Sequence, residues 1–209
     1  MTTLEVIADQ TERLRRALGV AAGPSSDFDL NPVVALPEGR KLRPAGVLVA
    51  FQPGRDGLDL LLTKRSSHLK HHPGQIAFPG GKVDRGDADE TAAALREAHE
   101  EVGLDPDTVE VLGTLPAHET VTGFSITPVL ALIRVPFTPV PEPGEVEEVF
   151  TTPFSHVMDR AYYTVQGRRW RGQRRLYYAV PYGPYYIWGA TARMLRGLAE
   201  RVNAERGET

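Results

Sequence analysis

The stretch GGKVDRGDADETAAALREAHEEVGL, residues 80–104, is the most informative part of this sequence for its fold. It begins with a pair of glycines, continues through an acidic loop and then takes on a helical pattern. Asp87, followed three positions later by Glu90, is typical of a helix N-terminus, where side-chain oxygens accept bonds from free backbone N–H groups. Gly103 is typical of a helix C-terminus and leaves Leu104 to fold back onto the last turn. The stretch therefore predicts a turn, a loop and a capped helix.

Three glutamates of this predicted helix, Glu97, Glu100 and Glu101, stand at i, i+3 and i+4, so their side chains converge within one turn. Like charges at this spacing destabilise a bare helix, and a divalent cation such as Mg²⁺ or Mn²⁺ removes the repulsion. The alternative is a solvated acidic face without metal, which is the commoner meaning of an acidic triad. The apolar positions of the helix form a separate stripe: Leu95, Ala98 and Val102. We therefore expect the glutamates to lie off the buried face.

The two glycines before the helix, Gly80 and Gly81, have two interpretations. They are ordinary turn residues, or they allow the backbone to approach a metal ion or a phosphate closely. Their position beside the predicted acidic helix favours the second interpretation.

The segment resembles the Nudix box, in which a glycine is followed by Arg-Glu-x-x-Glu-Glu-x-Gly and an apolar residue. The matching residues are Arg96, Glu97, Glu100, Glu101, Gly103 and Leu104. Upstream, residues 61–66 (LLTKRS), Gly74 and residues 78–81 (FPGG) are similar to the additional signature of the coenzyme A pyrophosphatase branch of Nudix hydrolases. The resemblance extends from about residue 43 to the C-terminal helix, and the joint match is far more specific than one short motif.

Two positions depart from these patterns. Ala88 stands at the spacing where the usual box has a glutamate, and the acidic loop is one residue longer than usual. We interpret this aspartate-rich loop as a feature of the branch. Lys70 stands where the coenzyme A signature has an arginine, which keeps the charge but lacks the planar guanidinium that binds phosphate through two donors.

The resemblance implies an α/β/α sandwich with a mixed β-sheet and a metal-dependent diphosphate hydrolase. It implies that Glu97, Glu100 and Glu101, with the Gly81 carbonyl, hold Mg²⁺ or Mn²⁺, and that Arg96 orients Glu97. Glu97 or a glutamate from another loop would accept the proton of the attacking water. In the coenzyme A branch the products are adenosine 3′,5′-bisphosphate and a 4′-phosphopantetheine compound. The alternatives are another nucleoside diphosphate derivative, such as ADP-ribose or NADH, and a non-catalytic ligand-sensing module.

A basic loop over residues 64–72 precedes the glycine pair. It is either a solvated loop or a loop that binds substrate phosphates, with Arg65 and Lys70 as candidate substrate-binding residues. Gly80, from the glycine pair, is a third candidate. His71 and His72 do not complete a zinc set, because no further histidine or cysteine stands at metal spacing. Another acidic group follows a proline-glycine loop and offers candidates for an additional base: Glu145, Glu147 and Glu148.

Composition excludes several classes of protein. The chain has 209 residues, a net charge of −3 and no cysteine, so disulfides, thiolate metal sites and a cysteine nucleophile are excluded. No apolar run approaches the roughly 20 residues that span a bilayer, and the charges near the N-terminus do not suit a secretory signal. We expect a cytoplasmic enzyme with a small-molecule substrate, no nucleic-acid or membrane partner, and a possible homodimeric state.

The predicted layout is one domain, with a helix and an irregular lead-in over residues 1–42 and the catalytic domain over residues 43–205. The lead-in helix spans residues 4–18, with Leu4, Ile7, Leu14 and Leu18 inward. Strands are predicted over residues 45–51, 58–63, 109–115 and 126–135, a hairpin over 162–170 and 174–180 turning at residues 172–173, and a closing helix from Tyr185 that includes Trp188. A basic cluster surrounds Trp170: Arg168, Arg169, Arg171, Arg174 and Arg175. We favour a solvated hairpin face there over a site for nucleic acid or an extra phosphate.

Overall fold

A mixed β-sheet lies at the centre of the protein, and helices pack on both of its faces. The computed structural model describes residues 1–32, 39–170 and 172–204. The helices are α1 (Thr3–Gly19), α2 (Glu90–Val102), α3 (Phe154–Val157) and α4 (Ala190–Asn203). The strands are β1 (Ser25–Ser26), β2 (Arg43–Pro53), β3 (Leu58–Arg65), β4 (Ile76–Ala77), β5 (Gly80–Lys82), β6 (Val109–Thr114), β7 (His118–Glu119), β8 (Phe124–Ile133), β9 (Val146–Pro153), β10 (Thr164–Trp170) and β11 (Gln173–Ala179).

Within the described residues, nine strands form the main sheet. Its path runs β1-β7-β8-β2-β3-β4, while β5 pairs with β2, β6 with β8, and β9 with β3. The pairing of β2 with β8 is parallel over nine residue pairs, from Arg43 opposite Phe124 to Phe51 opposite Leu132. The pairings β2–β3, β2–β5 and β3–β9 are antiparallel. The sheet is therefore mixed, as predicted.

Both faces of the sheet are buried, so the central strands are apolar on both sides. In β3, Leu60 and Leu62 point to one core, which also contains residues of α1 and α4. Leu61 points to the second core, where Ala94 and Ala98 of α2 pack. Helix–sheet–helix layering follows directly, and the predicted α/β/α sandwich is confirmed.

One glycine decides how closely α2 approaches the sheet. A Cβ built on Gly46 of β2 would lie 1.9 Å from the backbone oxygen of Glu90, in the first turn of α2. Only glycine tolerates this contact, because any side chain would push the helix outward. The start of α2 is thereby fixed against β2 and next to β5, which carries the Gly80-Gly81 pair.

Several predictions about the elements were wrong. Leu4 is 78% exposed rather than inward, since Leu14 and Ala17 provide the buried contacts of α1. The last helix begins at Ala190, so Tyr185 and Trp188 precede it in an extended segment that bridges to Ala179. Strand β9 was not predicted at all. The hairpin β10–β11 is confirmed, although Gln173 lies in the strand opposite Trp170 rather than in the turn.

The expected division at residue 42 stays a prediction. α1 packs on the same core as α4 and the sheet, and Gln10 accepts a hydrogen bond of 2.6 Å from the backbone of Leu58.

Candidate active site

Helix α2 holds the glutamates, and its two ends are capped by side-chain and backbone bonds. Asp89 is the N-cap and accepts a bond of 2.8 Å from the backbone of Ala92. The prediction that Asp87 caps this helix was therefore wrong. At the other end Gly103 adopts a left-handed φ of 71°, and Leu104 is buried and donates back to Ala98. The predicted glycine cap is confirmed.

Burial separates the three glutamates of α2. Glu100 is exposed, with 57% of its side chain open to solvent, whereas the side chain of Glu97 is 15% exposed. Glu101 is only 4% exposed, in the same stripe as Ala98 and Val102. The expectation that all three carboxylates lie off the buried face was wrong for Glu101.

Glu101 is a buried carboxylate with few compensating contacts. The backbone N–H of Gly80 donates to its Oε2 at 3.1 Å, and the Nη1 atom of Arg65 lies 4.0 Å from its Oε1. Burial raises the pKa of Glu101 to about 7, against the opposing effects of the Gly80 amide and Arg65, while the nearby charges of Glu97 and Glu145 raise it further.

Glu97 lies against the glycine turn. A Cβ built on Gly81 would lie 2.3 Å from the Oε1 atom of Glu97, so a side chain at residue 81 would displace this carboxylate from the turn. Burial raises the pKa of Glu97, Arg96 lowers it, and the charges of Glu100 and Glu145 raise it again. Gly80 also requires glycine, since its φ is 152° and a Cβ would lie 2.4 Å from the backbone oxygen of Gly46.

Arg96 connects the glutamates to the acidic loop. Its Nη2 donates to Glu97 at 3.1 Å and its Nη1 donates to Glu100 at 2.9 Å. Its Nε and Nη2 atoms donate to the two oxygens of Asp87 at 2.9 and 3.0 Å. These bonds raise the pKa of Arg96, with Asp87 as the largest cause, so the guanidinium stays charged.

The three candidate loop bases have different surroundings. Glu147 and Glu148 lie on β9 rather than in a loop. Glu147 accepts bonds from Lys64 at 2.6 Å and from the backbone of Ser67 at 3.1 Å. Glu148 accepts a bond of 2.5 Å from the Tyr185 hydroxyl. Glu145 precedes the strand and is exposed, and its charge raises the pKa values of Glu97 and Glu101.

The basic loop starts beside Glu145. The backbone N–H of Ser66 donates to the Glu145 carbonyl at 2.8 Å, and Arg65 at the end of β3 faces Glu101. Lys70 and His71 are exposed. Lys70 makes no hydrogen bond or ion pair with any described residue, so the structure brings Arg65, but not Lys70, to the carboxylates.

Comparison with known proteins gives the family. A family model, the NUDIX domain, matches residues 41–172. The chain belongs to the Nudix family. It is 43% identical over 164 residues to "Uncharacterized Nudix hydrolase NudL" of Enterobacter sp. (strain 638), covering 77% of this chain and 83% of the relative. A relative with the same printed name in Escherichia coli (strain SMS-3-5 / SECEC) is 41% identical over 167 residues, covering 78% and 84%. The protein is a Nudix hydrolase, as predicted.

Solved Nudix structures share the fold. The NUDIX domain of Shewanella oneidensis NrtR, solved as a complex with ADP ribose, aligns with a TM-score of 0.50 at 18% identity and covers 77% of this chain and 88% of that domain. The MutT protein from Methanosarcina mazei Go1 aligns with a TM-score of 0.50 at 16% identity, covering 81% and 99%. At these identities the likeness concerns the fold alone.

The donor set of this Nudix hydrolase fits a hard divalent cation by its chemistry. Glu97 and Glu101 both have raised pKa values, and each lies beside a glycine of the turn. Carboxylate and backbone oxygens are the ligands that Mg²⁺ and Mn²⁺ prefer. In the described residues no three histidine or acidic side chains are gathered at metal-binding distance. Glu97 and Glu100 accept hydrogen bonds from Arg96, and Glu101 accepts one from the Gly80 amide.

Sequence reasoning missed two features of the described structure. Asp87 belongs to the Arg96 cluster, and its spacing from Arg96 offered no clear signal. His118 is fully buried, and its Nδ1 and Nε2 atoms form hydrogen bonds with Ser25 at 2.9 Å and with Asp27 at 3.1 Å. These bonds connect the lead-in to β7.

Arg168, Arg169 and Arg174 are exposed on the hairpin, and Arg168 lies over the ring of Trp188; Arg171 lies outside the described residues.

In the described ranges no helix has both the length and the apolar character for crossing a membrane.

Proposed function

We propose that this Nudix hydrolase cleaves the diphosphate bond of coenzyme A or its derivatives, giving adenosine 3′,5′-bisphosphate and 4′-phosphopantetheine compounds. One observation carries the proposal. Arg65, the arginine of the LLTKRS segment, lies 4.0 Å from the buried Glu101 of the Nudix helix. The signature that resembles the coenzyme A branch therefore borders the carboxylate cluster, where it can contact a substrate phosphate.

The hydrolysis requires groups that hold a cation and a group that accepts a proton. Glu97, Glu100 and Glu101, with the Gly81 carbonyl, would hold Mg²⁺ or Mn²⁺. When bound, such an ion neutralises diphosphate charge and lowers the pKa of a bound water. Arg65 would bind a phosphate oxygen through its guanidinium fork. The Gly80 amide donates to Glu101, so its proposed contact with substrate requires this bond to rearrange.

Two carboxylates are candidates for the general base. Glu97 is half-buried with a raised pKa, which makes it a better proton acceptor near neutral pH than an ordinary glutamate. Glu145 is our candidate from outside the helix, because its charge acts on both Glu97 and Glu101. Glu147 and Glu148 are less suitable, since Lys64 and Tyr185 already occupy their oxygens.

The first test is the hydrolysis of coenzyme A by purified protein with Mg²⁺ or Mn²⁺, with ADP-ribose and NADH in parallel and products resolved by chromatography. We expect adenosine 3′,5′-bisphosphate and phosphopantetheine to appear fastest. Turnover of ADP-ribose or NADH without turnover of coenzyme A would contradict the substrate assignment and retain Nudix chemistry. No turnover of any of the three would favour a ligand-sensing module.

Two variants test the residues. Glu100→Gln should abolish turnover while the fold remains intact, and Glu12→Gln is a matched control. Glu12 is also an exposed helical glutamate paired with an arginine four residues away, at 3.6 Å. Arg65→Ala should raise KM for coenzyme A at least about tenfold, in line with the loss of a charged hydrogen bond. Full activity of Glu100→Gln would refute the metal assignment, and an unchanged KM would refute the role of Arg65.

The remaining expectations stay predictions. A homodimer, a cytoplasmic location and the absence of a nucleic-acid partner are proposals that size-exclusion chromatography with light scattering, fractionation and binding assays would test.

A further inference from the structure

Asp87 is the most completely bonded carboxylate of the acidic loop. Arg96 donates two parallel bonds to it, from Nε to Oδ1 at 2.9 Å and from Nη2 to Oδ2 at 3.0 Å. The backbone N–H of Asp84 donates a third bond, to Oδ2 at 2.8 Å. The side chain is only 5% exposed. With its oxygens occupied in this way, Asp87 is suited to hold Arg96 rather than to bind a cation or substrate.

The two bonds with Asp87 hold one edge of the Arg96 guanidinium and thereby fix the directions of its other N–H groups. A guanidinium is planar, so the two bonds to Asp87 set the plane in which the remaining N–H groups point. The second N–H of Nη2 is shared between Glu97 at 3.1 Å and the Lys82 carbonyl at 3.3 Å, and Nη1 donates to Glu100 at 2.9 Å. Arg96 thus connects the acidic loop, two glutamates of α2 and strand β5, which contains the Gly80-Gly81 pair.

The other acids near this point lack such contacts. Asp84 lies 4.0 Å from Arg96 Nη2, pairs with Lys82 at 3.0 Å and has a side chain that is 50% exposed. Asp89 caps α2, and Ala88, where the box pattern has a glutamate, has no carboxylate to offer. The bidentate partner of Arg96 is therefore Asp87, one residue before Ala88, where the usual box has a glutamate.

We propose that Asp87 is a positioning residue, which fixes the guanidinium plane of Arg96 so that Glu97 and Glu100 present their carboxylates in one arrangement. The inference rests on the proposed function insofar as these glutamates hold the cation. Outer partners that orient ligands in this way typically change metal affinity or activity 10–100-fold when they are removed.

The test uses Asp87→Ala and Asp87→Asn, with Asp84→Ala as the matched control from the same loop. Mn²⁺ affinity is measured by electron paramagnetic resonance on the protein without substrate. Turnover is measured on whichever of coenzyme A, ADP-ribose and NADH the wild-type protein hydrolyses. We expect both Asp87 variants to bind Mn²⁺ at least about tenfold more weakly and to lose at least about tenfold in kcat, with KM within about twofold. Asp84→Ala should stay within about twofold of wild type in each quantity.

A relocation variant separates positioning from general loop stability. In Asp87→Ala/Ala88→Glu, we expect the longer side chain at the next residue to pair with Arg96 and to recover at least half of the logarithmic loss in Mn²⁺ affinity. Affinity within twofold of wild type in both Asp87 variants would overturn the proposal. So would an equal loss in Asp84→Ala. If no substrate is turned over, the proposed function fails while the Mn²⁺ measurements still decide the role of Asp87.

Discussion

Replacing Glu101 by glutamine should stabilise the metal-free protein at alkaline pH while removing its response to divalent cations. Glutamine has nearly the same shape, and its amide oxygen can accept the bond that Gly80 donates to Glu101 at 3.1 Å. What the replacement removes is a charge in a site that is 4% exposed. A buried carboxylate is unfavourable when it ionises, unless a cation or several donors compensate it.

The sign and size follow from the raised pKa of Glu101. Between the ordinary value of 4.5 and about 7, the folded protein keeps a proton that the unfolded chain releases, so the free energy of unfolding falls as the pH rises through this window. Below about pH 4 the group costs nothing, and above about pH 7 it costs the full amount. Since one pKa unit corresponds to about 1.4 kcal/mol, a rise from 4.5 to about 7 corresponds to about 3 kcal/mol.

Urea and thermal unfolding at pH 4.5 and pH 8, in the presence of a chelator, measure this difference. We expect Glu101→Gln to exceed wild type by about 3 kcal/mol at pH 8, or about 6–12 °C in Tm for a domain of this size, and by little at pH 4.5. Mn²⁺ should raise Tm for wild type but not for the variant. The control Glu12→Gln, which changes an exposed ion pair, should match wild type both in stability at pH 8 and in the rise of Tm with Mn²⁺. Equal stability of Glu101→Gln and wild type at pH 8, or lower stability of the variant, would refute the reasoning.

Two further predictions concern the fold and are measured by urea unfolding. His118→Ala should destabilise the protein by about 2–4 kcal/mol, because it opens a cavity in a fully buried site and removes the bonds to Ser25 and Asp27; a loss below about 1 kcal/mol would contradict this. Gly46→Ala should destabilise it by about 1–3 kcal/mol, since the new Cβ would lie 1.9 Å from the backbone oxygen of Glu90 and push α2 from the sheet; wild-type stability would show that the contact relaxes without cost.

The fold could be predicted from the sequence where the local pattern and the tertiary environment agree. β3 and β8 each contain a continuous apolar run, over residues 60–62 and 129–133, because both faces of the central sheet are buried there. β9 was missed because Glu147 and Glu148 lie in its first half and suggest a loop. In the structure these acids are tolerated because each has a partner, Lys64 or Tyr185, and no local pattern shows those partners.

The site was predictable in composition but less so in geometry. The spacing of the glutamates in α2 correctly placed them within one turn. The burial of Glu101 had a signal, since Ala94, Ala98 and Glu101 stand at i, i+4 and i+7 and so share one face. Asp87 was taken for the cap because several acids in the loop were equally suitable, and only the path of the chain decides that Asp89 caps the helix.

The distribution of burial among the glutamates bears on whether they form a solvated face or a cation site. A solvated face would leave all three carboxylates exposed, with pKa values undisturbed by burial. Instead, burial raises the pKa values of Glu97 and Glu101. The missing side chain of Gly81 leaves room for the Glu97 carboxylate, and the Gly80 amide donates to Glu101. Packing alone does not explain an ionisable group in this position, because burial disfavours the charged form of Glu101. A cluster of groups with perturbed pKa values that lower stability is typical of a functional site. The unfavourable burial of these carboxylates therefore favours the cation-binding interpretation over the solvated helix face.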